Sequence, residues 1–240
     1  MHTLLQKLAK LILDVNVHVC IEAAGCIAHI ANGTKAQFGT QAIHVLPPIL
    51  KRMKEKKATV LTALNEAAKA VLKTVSLDSI APELLPFITD KNPSIRKETL
   101  VVTAFAITQT TLKILNKSLI KQLAELIIKV TSDSAAPVRE AAYEALGAMQ
   151  RVAGDRPMAP YLSDLDKLKQ DKIKDYCDKC TGVKSSANAS RPVAPREPIK
   201  ATPAVASKKA IPTKDPPAMP APAETKTAAA PKGRVAAPPW

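Results

Sequence analysis

Thr131-Ser132-Asp133-Ser134-Ala135-Ala136-Pro137-Val138-Arg139-Glu140-Ala141-Ala142 is a polar turn followed by a helix that opens on a short apolar anchor, Val138. An apolar helix runs into this turn from the other side. Similar units recur with anchors at Val17, Val60 and Ile95, at intervals of 43, 35 and 43 residues. That spacing falls in or near the range of helical-pair repeats. The fold class expected is all-α, an α-solenoid of HEAT-like antiparallel helix pairs. Such an array rarely encloses a catalytic cleft, so its exposed edges, and the polar turns along one of them, are the expected working surface.

Working outward, Met1–Leu13 reads as a helix with Leu4, Leu5, Leu8, Leu11 and Ile12 as its apolar stripe. The next helix begins near Val17, places Val17, Ile21, Ala24, Ala28 and Ala31 on one face, and is expected to end at Asn32-Gly33. Residues 40–53 form a helix that Pro47-Pro48 must either kink or start. Val60, Leu64, Ala67, Val71 and Val75 line the helix after it, and Ser79–Thr89 is a shorter one. Asn92-Pro93 is a cap-and-first-turn signal, leading to Ile95, Thr99, Val102 and Ala106 on one face. Asn116–Val130 is amphipathic; the helix anchored by Val138 closes at Gly154; and a last helix runs from Tyr161 to about Cys180. Each helix is apolar on one side only, so each pair must cover its neighbours. The first helix reads as the first member of a pair with nothing before it, so the array is expected to be a piece of a larger solenoid or a short form.

Composition divides the chain at about residue 180. Residues 181–240 carry 12 of the 20 prolines and no long apolar run, and are expected to form a disordered basic Pro/Ala/Lys-rich tail. Ten Lys/Arg against three Asp/Glu give that tail +7 of the net +14. An acidic polymer is therefore the expected partner class. Aromatic content of 3% leaves the core of residues 1–180 to aliphatic side chains and alanine, which suits helix packing better than a β-sandwich. Four cysteines in a chain of 240 residues make no disulfide scaffold, and a reducing intracellular setting is the simplest reading. No basic start leading into an apolar signal core and no bilayer-length apolar run is visible, so no membrane partner is expected.

No phosphate-binding loop, dinucleotide fingerprint or nucleophile elbow occurs, and the carboxylates of Asp164 and Asp166 lie on a surface helix. Cys177-Asp178-Lys179-Cys180 is a lone C-x-x-C with no second pair to complete a zinc site. Cys20 and Cys26 read as core or near-core residues. His2, His18, His29 and His44 show no metal-ligand spacing. No enzyme, no cofactor and no metal are expected. Specific nucleic-acid binding is disfavoured because aromatic platforms and a basic helical stripe are missing.

Several of these segments together resemble one family. Glu55-Lys56-Lys57, Lys91-Asn92-Pro93-Ser94-Ile95, Pro137-Val138-Arg139-Glu140-Ala141-Ala142, Phe38-Gly39 and Asp164-Leu165-Asp166-Lys167-Leu168-Lys169-Gln170-Asp171-Lys172-Ile173-Lys174 are similar to a TOG (tumour-overexpressed-gene) domain of the ch-TOG / Minispindles microtubule polymerases. The likeness covers about residues 3–180. It implies an arched paddle whose intra-repeat turns hold curved, unpolymerised αβ-tubulin, and hence a cytoplasmic place on microtubules, spindle and centrosome. The resemblance implies that the family's first helix pair, whose turn commonly supplies a tryptophan to β-tubulin, is expected to be missing from this array; the single tryptophan, Trp240, ends the tail.

Carried over residue by residue, the resemblance implies a tubulin-facing set of Asn16, His18, Lys56, Lys57, Lys91, Asn92, Ser94, Arg96, Lys97, Asp133, Ser134 and Arg139. Arg96 and Arg139 each follow a core anchor at a helix start, where a guanidinium can bond a partner carboxylate or carbonyl bidentately. Asn16 and Asn92 read first as N-caps. In the tail, Lys208, Lys209, Lys232 and Arg234 are expected to adhere loosely to the acidic microtubule lattice. Monomeric behaviour is expected. The competing reading is a generic HEAT scaffold that grips a peptide or protein on its concave face and would tolerate loss of Lys56, Arg96 and Arg139.

Overall fold

A computed structural model describes residues 1–180 of the chain, and the tail residues named above lie outside the described range. Among the described residues there are ten α-helices, one 3-10 turn and no strand. The helices are α1 (His2–Leu11), α2 (Val17–Thr34), α3 (Gly39–Arg52), α4 (Ala58–Leu72), α5 (Leu77–Ile88), α6 (Pro93–Thr108), α7 (Lys117–Val130), α8 (Ala136–Ala153), α9 (Asp155–Leu162) and α10 (Lys167–Lys179). They stack as two layers. Helices α1, α3, α5, α7 and α9 follow one another in the first layer, and α2, α4, α6, α8 and α10 in the second. This is the solenoid of helix pairs that the periodicity implies.

The core lies between the layers and is almost wholly aliphatic. Leu46, Ile49, Leu50, Leu64, Val71, Leu84, Ile107, Leu123, Ile127, Leu146 and Met149 are fully buried, and Phe38 is the largest fully buried side chain among the described residues. At roughly 1.5–3 kcal/mol per fully buried aliphatic side chain, this seam is what holds the pairs together. The residues expected on the inner faces of α6 and α8, Ile95, Thr99, Val102 and Ala106, then Val138, Ala142, Ala145, Met149 and Val152, are all buried, and both helices bury further positions, such as Leu100 and Ile107 on α6 and Tyr143 and Leu146 on α8.

Several boundaries differ, each for a local reason. Helix α2 runs past Gly33 to Thr34, and the residue with positive φ is Lys35 (φ 49°). Its buried strip is Cys20, Ala23, Ala24, Ile27 and Ala31, while Val17, Ile21 and Ala28 are half-buried. Counted from the Asn16 cap, the residue equivalent to Val60, Ile95 and Val138 is Val19, not Val17. Cys26 is exposed, so only Cys20 joins the core. Pro47 and Pro48 lie inside α3 and do not start it. The carbonyls they release belong to the exposed residues Ile43 and His44, at the solvent-facing side of the helix. Helix α5 starts at Leu77, two residues earlier than the sequence suggests.

The largest difference is at the end. Residues 155–180 are two helices, where the apolar spacing suggests one beginning at Tyr161. Gln170 explains the break: its Nε2 donates to the carbonyls of Leu162 (2.9 Å) and Leu165 (2.7 Å), satisfying the groups a helix end leaves open. Of the expected stripe Leu162, Leu165, Leu168 and Ile173, only Ile173 is buried, and Leu168 is 79% exposed. Gly154, at φ 87°, makes the turn between α8 and α9. Helix α10 rests so closely on α8 that a Cβ at Gly147 would come within 2.8 Å of the Cys177 nitrogen and the Ile173 carbonyl.

Candidate functional site

Five bends join the two members of each pair, at residues 12–16, 53–57, 89–92, 131–135 and 163–166. The third and fourth are built on one template. Asp90 Oδ1 accepts from the Asn92 N–H at 2.8 Å, and Asp133 Oδ1 from the Ala135 N–H at 2.9 Å. Six residues beyond each aspartate an arginine folds back over the bend. Arg96 Nη1 donates to the carbonyls of Asp90 (2.8 Å) and Lys91 (3.0 Å), and Arg139 Nη1 to those of Asp133 (2.8 Å) and Ser134 (3.0 Å). The first bend keeps only the acid: Asp14 Oδ1 accepts from the Asn16 N–H at 2.7 Å, and buried Cys20 stands in the arginine position. In the second, Glu55 replaces the aspartate and is paired with Arg52, from the preceding helix, at 3.4 Å.

Side chains also tie one bend to the next. Arg52 lies beside Cys20, whose thiol is pushed up by burial and pulled partly back by that guanidinium. Asn65 Nδ2 donates to Glu98 Oε2 across α4 and α6 at 2.9 Å. Arg96 Nη2 reaches Asp133 on the following bend, at 2.9 Å to Oδ1 and 2.7 Å to Oδ2. That hydrogen-bonded guanidinium holds the Asp133 carboxyl below the usual carboxylate range. Lys169 Nζ, on the first turn of α10, donates to Ser132 Oγ at 3.1 Å. Lys172 pairs with Glu140, which Tyr176 also approaches, and this bonding lowers the Glu140 carboxyl. The bends therefore sit side by side along one edge.

This geometry sorts the candidate residues into two groups. Arg96, Arg139, Lys97 and Asp133 are engaged within the array: Lys97 pairs with Glu98 at 2.6 Å, and Arg96 has only Nε without a partner. Asn92 accepts from the Ser94 N–H at 2.9 Å, and Asn16 from the His18 N–H at 3.0 Å, so both asparagines cap their helices. Lys56, Lys57, Lys91, Asn16, His18 and Ser134 are exposed, and Lys56, Lys57 and Lys91 take part in no ion pair among the described residues. Sequence reasoning missed the fifth bend, its Lys169 tie and the high exposure of Val15 (93%) on the first bend. The signal for the fifth bend was Asp164 and Asp166 interrupting an apolar stripe.

Among the described residues no three His, Cys, Asp or Glu side chains gather closely enough to hold a metal ion. No helix among them is long and apolar enough to cross a membrane.

The family model described as CLASP N terminal matches residues 1–173. Protein mini spindles of Drosophila melanogaster is 36% identical over 177 residues, 73% of this chain and 9% of that protein. The chain thus spans about a tenth of this curated relative's length. A chain solved in work on microtubule plus-end tracking by XMAP215, CLIP-170 and EB1 superposes with a TM-score of 0.72 at 35% identity, covering 80% of this chain and 77% of that one. Another, from work on tubulin recruitment and assembly by microtubule polymerases with TOG domain arrays, gives 0.68 at 27% identity, covering 75% and 38%. With the two-layer stack and its edge of stitched bends, these matches show that the chain belongs to the CLASP N-terminal family and that its helical array is a TOG domain of the ch-TOG / Minispindles kind.

Proposed function

We propose that the edge of bends is a non-enzymatic tubulin-binding surface that holds a curved αβ-tubulin dimer. The observation that carries this reading is the set of exposed, unpaired Lys56, Lys57 and Lys91 on the second and third bends, the second braced internally by the Arg52–Glu55 pair and the third tied to the fourth by Arg96 and Asp133. A rigid rim loses little conformational entropy when it docks, and free ammonium groups on it meet the acidic surface of tubulin without first breaking internal pairs. Asn16, His18 and Ser134 are exposed on the same bends and complete the contact. Arg96 and Asp133 act one step back, by tying the third bend to the fourth, and Arg139 by bracing its own bend, while Lys97 is held by Glu98. The basic tail, through Lys208, Lys209, Lys232 and Arg234, adds a salt-screened attraction to the microtubule lattice. This places the protein on the microtubule cytoskeleton, at spindle and centrosome. Assembly is promoted in this scheme by tethering and raised local concentration, which grows with the number of tubulin-binding modules brought together.

Size-exclusion co-migration with unpolymerised αβ-tubulin tests the reading. The wild-type chain should shift the tubulin peak, and Lys56→Glu/Lys57→Glu, which breaks no internal bond, should abolish the shift while leaving the circular dichroism spectrum unchanged. A wild-type chain that leaves tubulin unshifted at low salt removes tubulin binding. An equal shift by the variant removes the lysines from the contact.

A further inference from the structure

The second layer is packed unevenly. Helices α2 and α4 lie close together, as do α6, α8 and α10, whereas α4 and α6 touch sparsely. Side-chain size accounts for the close pairs. Cys20, Ala23, Ala24 and Ala31 on α2, and Ala141, Ala145, Gly147 and Ala148 on α8, are small and buried, so neighbouring helix axes can approach. Between α4 and α6 the connections are long and polar. Asn65 Nδ2 donates to Glu98 Oε2 at 2.9 Å, and the ammonium groups of Lys69 and Lys73 each stand 5.7 Å from the centre of the Phe105 ring. Asn65 Oδ1 is buried without a partner among the described residues. One end of this seam opens into a cleft of about 280 Å³, with Leu72 and Lys73 on one side and Ala106, Gln109 and Thr110 on the other.

The edge of bends divides at the same place. Arg52, at the end of α3, lies beside Cys20 of α2; Arg96 ties the third bend to Asp133 on the fourth; Lys169 ties α10 to Ser132 on the fourth. Among the described residues no hydrogen bond or ion pair joins the second bend, 53–57, to the third, 89–92. The first layer, by contrast, is continuous here, with α3 packed on α5. Gly39, at the start of α3, lies so near the α4–α5 connection that a Cβ would come within 2.8 Å of the Thr74 carbonyl oxygen. Close backbone contact of this kind makes a pivot.

We infer that the array is two rigid blocks, α1–α4 and α5–α10, hinged at the α4/α6 seam, and that the hinge angle sets the spacing of Lys56 and Lys57 from Lys91. Close-packed apolar interfaces resist deformation, while polar links across a gap exchange with water at little net cost. Bending is therefore concentrated where the second layer is sparse and held by such links. The rim is rigid within each block and adjustable between them, and the curvature of a docked partner selects the angle. The hinge stands on packing alone; its consequence for docking rests on the tubulin-binding reading.

Double electron–electron resonance on the full chain tests the hinge, with nitroxides carried on p-acetylphenylalanine so that the four cysteines stay unlabelled. Labels at exposed Glu22 on α2 and Asp171 on α10 span the seam; Lys7 with Glu66, and Lys121 with Asp171, are control pairs within one block each. The cross-block distance distribution should be broader than either control. Asn65→Ala removes the direct link to Glu98 and should broaden that distribution further and lengthen its mean, leaving both controls in place. Asn65→Lys should narrow and shorten it, because Glu98 Oε1 is held by Lys97 and Oε2 is left for the new ammonium. Thermal unfolding at 222 nm checks that both variants stay folded. A wild-type cross-block distribution as narrow as the controls, or one that neither variant alters, overturns the hinge. Unpolymerised αβ-tubulin added to the wild type should narrow the cross-block distribution alone. No narrowing in a chain that co-migrates with tubulin overturns the link between hinge and docking. The distances are read on the free chain, so a chain that leaves tubulin unshifted strikes the tubulin reading and not the hinge.

Discussion

Removing the Asp133 carboxylate should cost more stability than any other single change on the edge of bends. Asp133 accepts one hydrogen bond from Arg96 Nη2 on the preceding bend, with its other oxygen in ion-pair contact with the same nitrogen, and one from the Ala135 N–H at the start of α8. Bonds to charged groups contribute about 1.5–3 kcal/mol in net terms. The side chains of Arg96 and Asp133 are 15% and 11% exposed, so partial solvation puts their coupling at the lower end, about 1.5 kcal/mol. Losing the turn bond to Ala135 adds about 1 kcal/mol. Asp133→Ala is therefore expected to destabilise by about 2.5 kcal/mol. Asp133→Asn, which keeps one acceptor and the turn bond, should cost about 1 kcal/mol.

Urea unfolding followed by circular dichroism, run as a cycle with Arg96→Ala, isolates the link between the two bends. The bonds Arg96 makes to Asp90 and Lys91 cancel in the cycle and leave the coupling alone. A coupling below about 0.3 kcal/mol would refute the claim that Arg96 locks one bend to the next. The acid limb gives an independent check. The Arg96 guanidinium lowers the folded carboxyl below its unfolded value, so the stabilisation is present above about pH 4 and disappears as pH falls through the folded pKa. The deficit of Asp133→Asn relative to wild type should shrink over that range.

Two further outcomes follow from packing and burial. Gly147→Ala places a methyl 2.8 Å from the Ile173 carbonyl and the Cys177 nitrogen, so α10 must shift outward; the expected loss is about 1–3 kcal/mol, with hydrogen exchange accelerating first in residues 167–179. Burial pushes the Glu144 carboxyl up, with Lys69 and Lys97 offsetting only part of the effect, so its contribution to stability falls as pH rises from the unfolded carboxylate pKa through the higher folded one. Glu144→Gln should accordingly stabilise the array at pH 7, by on the order of 0.5 kcal/mol after solvent screening, and the gain should vanish below about pH 4 when followed by thermal unfolding.

What the sequence makes legible is what the chain decides locally. Helices α6, α7 and α8 carry an apolar strip of period 3.6 and punctuation at their starts, with Asn92 and Asn116 as side-chain caps and Pro93 and Pro137 in the first turn. Their starts and one inner strip on each follow from those residues, while the further buried positions of α6 and α8 depend on the helices packed around them. Helix α2 is apolar almost all round, so spacing alone does not say which strip faces the layer; only the position of α4 selects Cys20, Ala23 and Ile27 over Val17 and Ile21. The split between α9 and α10 is equally hidden. Leucines at 162, 165 and 168 fit one continuous helix, and the choice against it is made by Gln170 reaching back to two carbonyls.

The same distinction governs the candidate site. An arginine six residues after a turn aspartate reads as a free cation at a helix start, where the dipole disfavours it and a partner's carboxylate would relieve it. In the fold the relief is internal, from the carbonyls of the bend itself, at both Arg96 and Arg139. Spacing cannot separate these alternatives, because the interval that brings the guanidinium to the rim also lets it fold back over the turn. The second bend lacks the template altogether: Glu55 stands for the aspartate, its guanidinium comes from Arg52 upstream, and Leu61 occupies the arginine position. Nothing draws Lys56 and Lys57 inward there, and they remain exposed. At the arginine position, departure from the repeat removes the inward-folding cation, whereas Lys91 on the conforming third bend is exposed beside one. On that criterion the second bend is the first place to mutate.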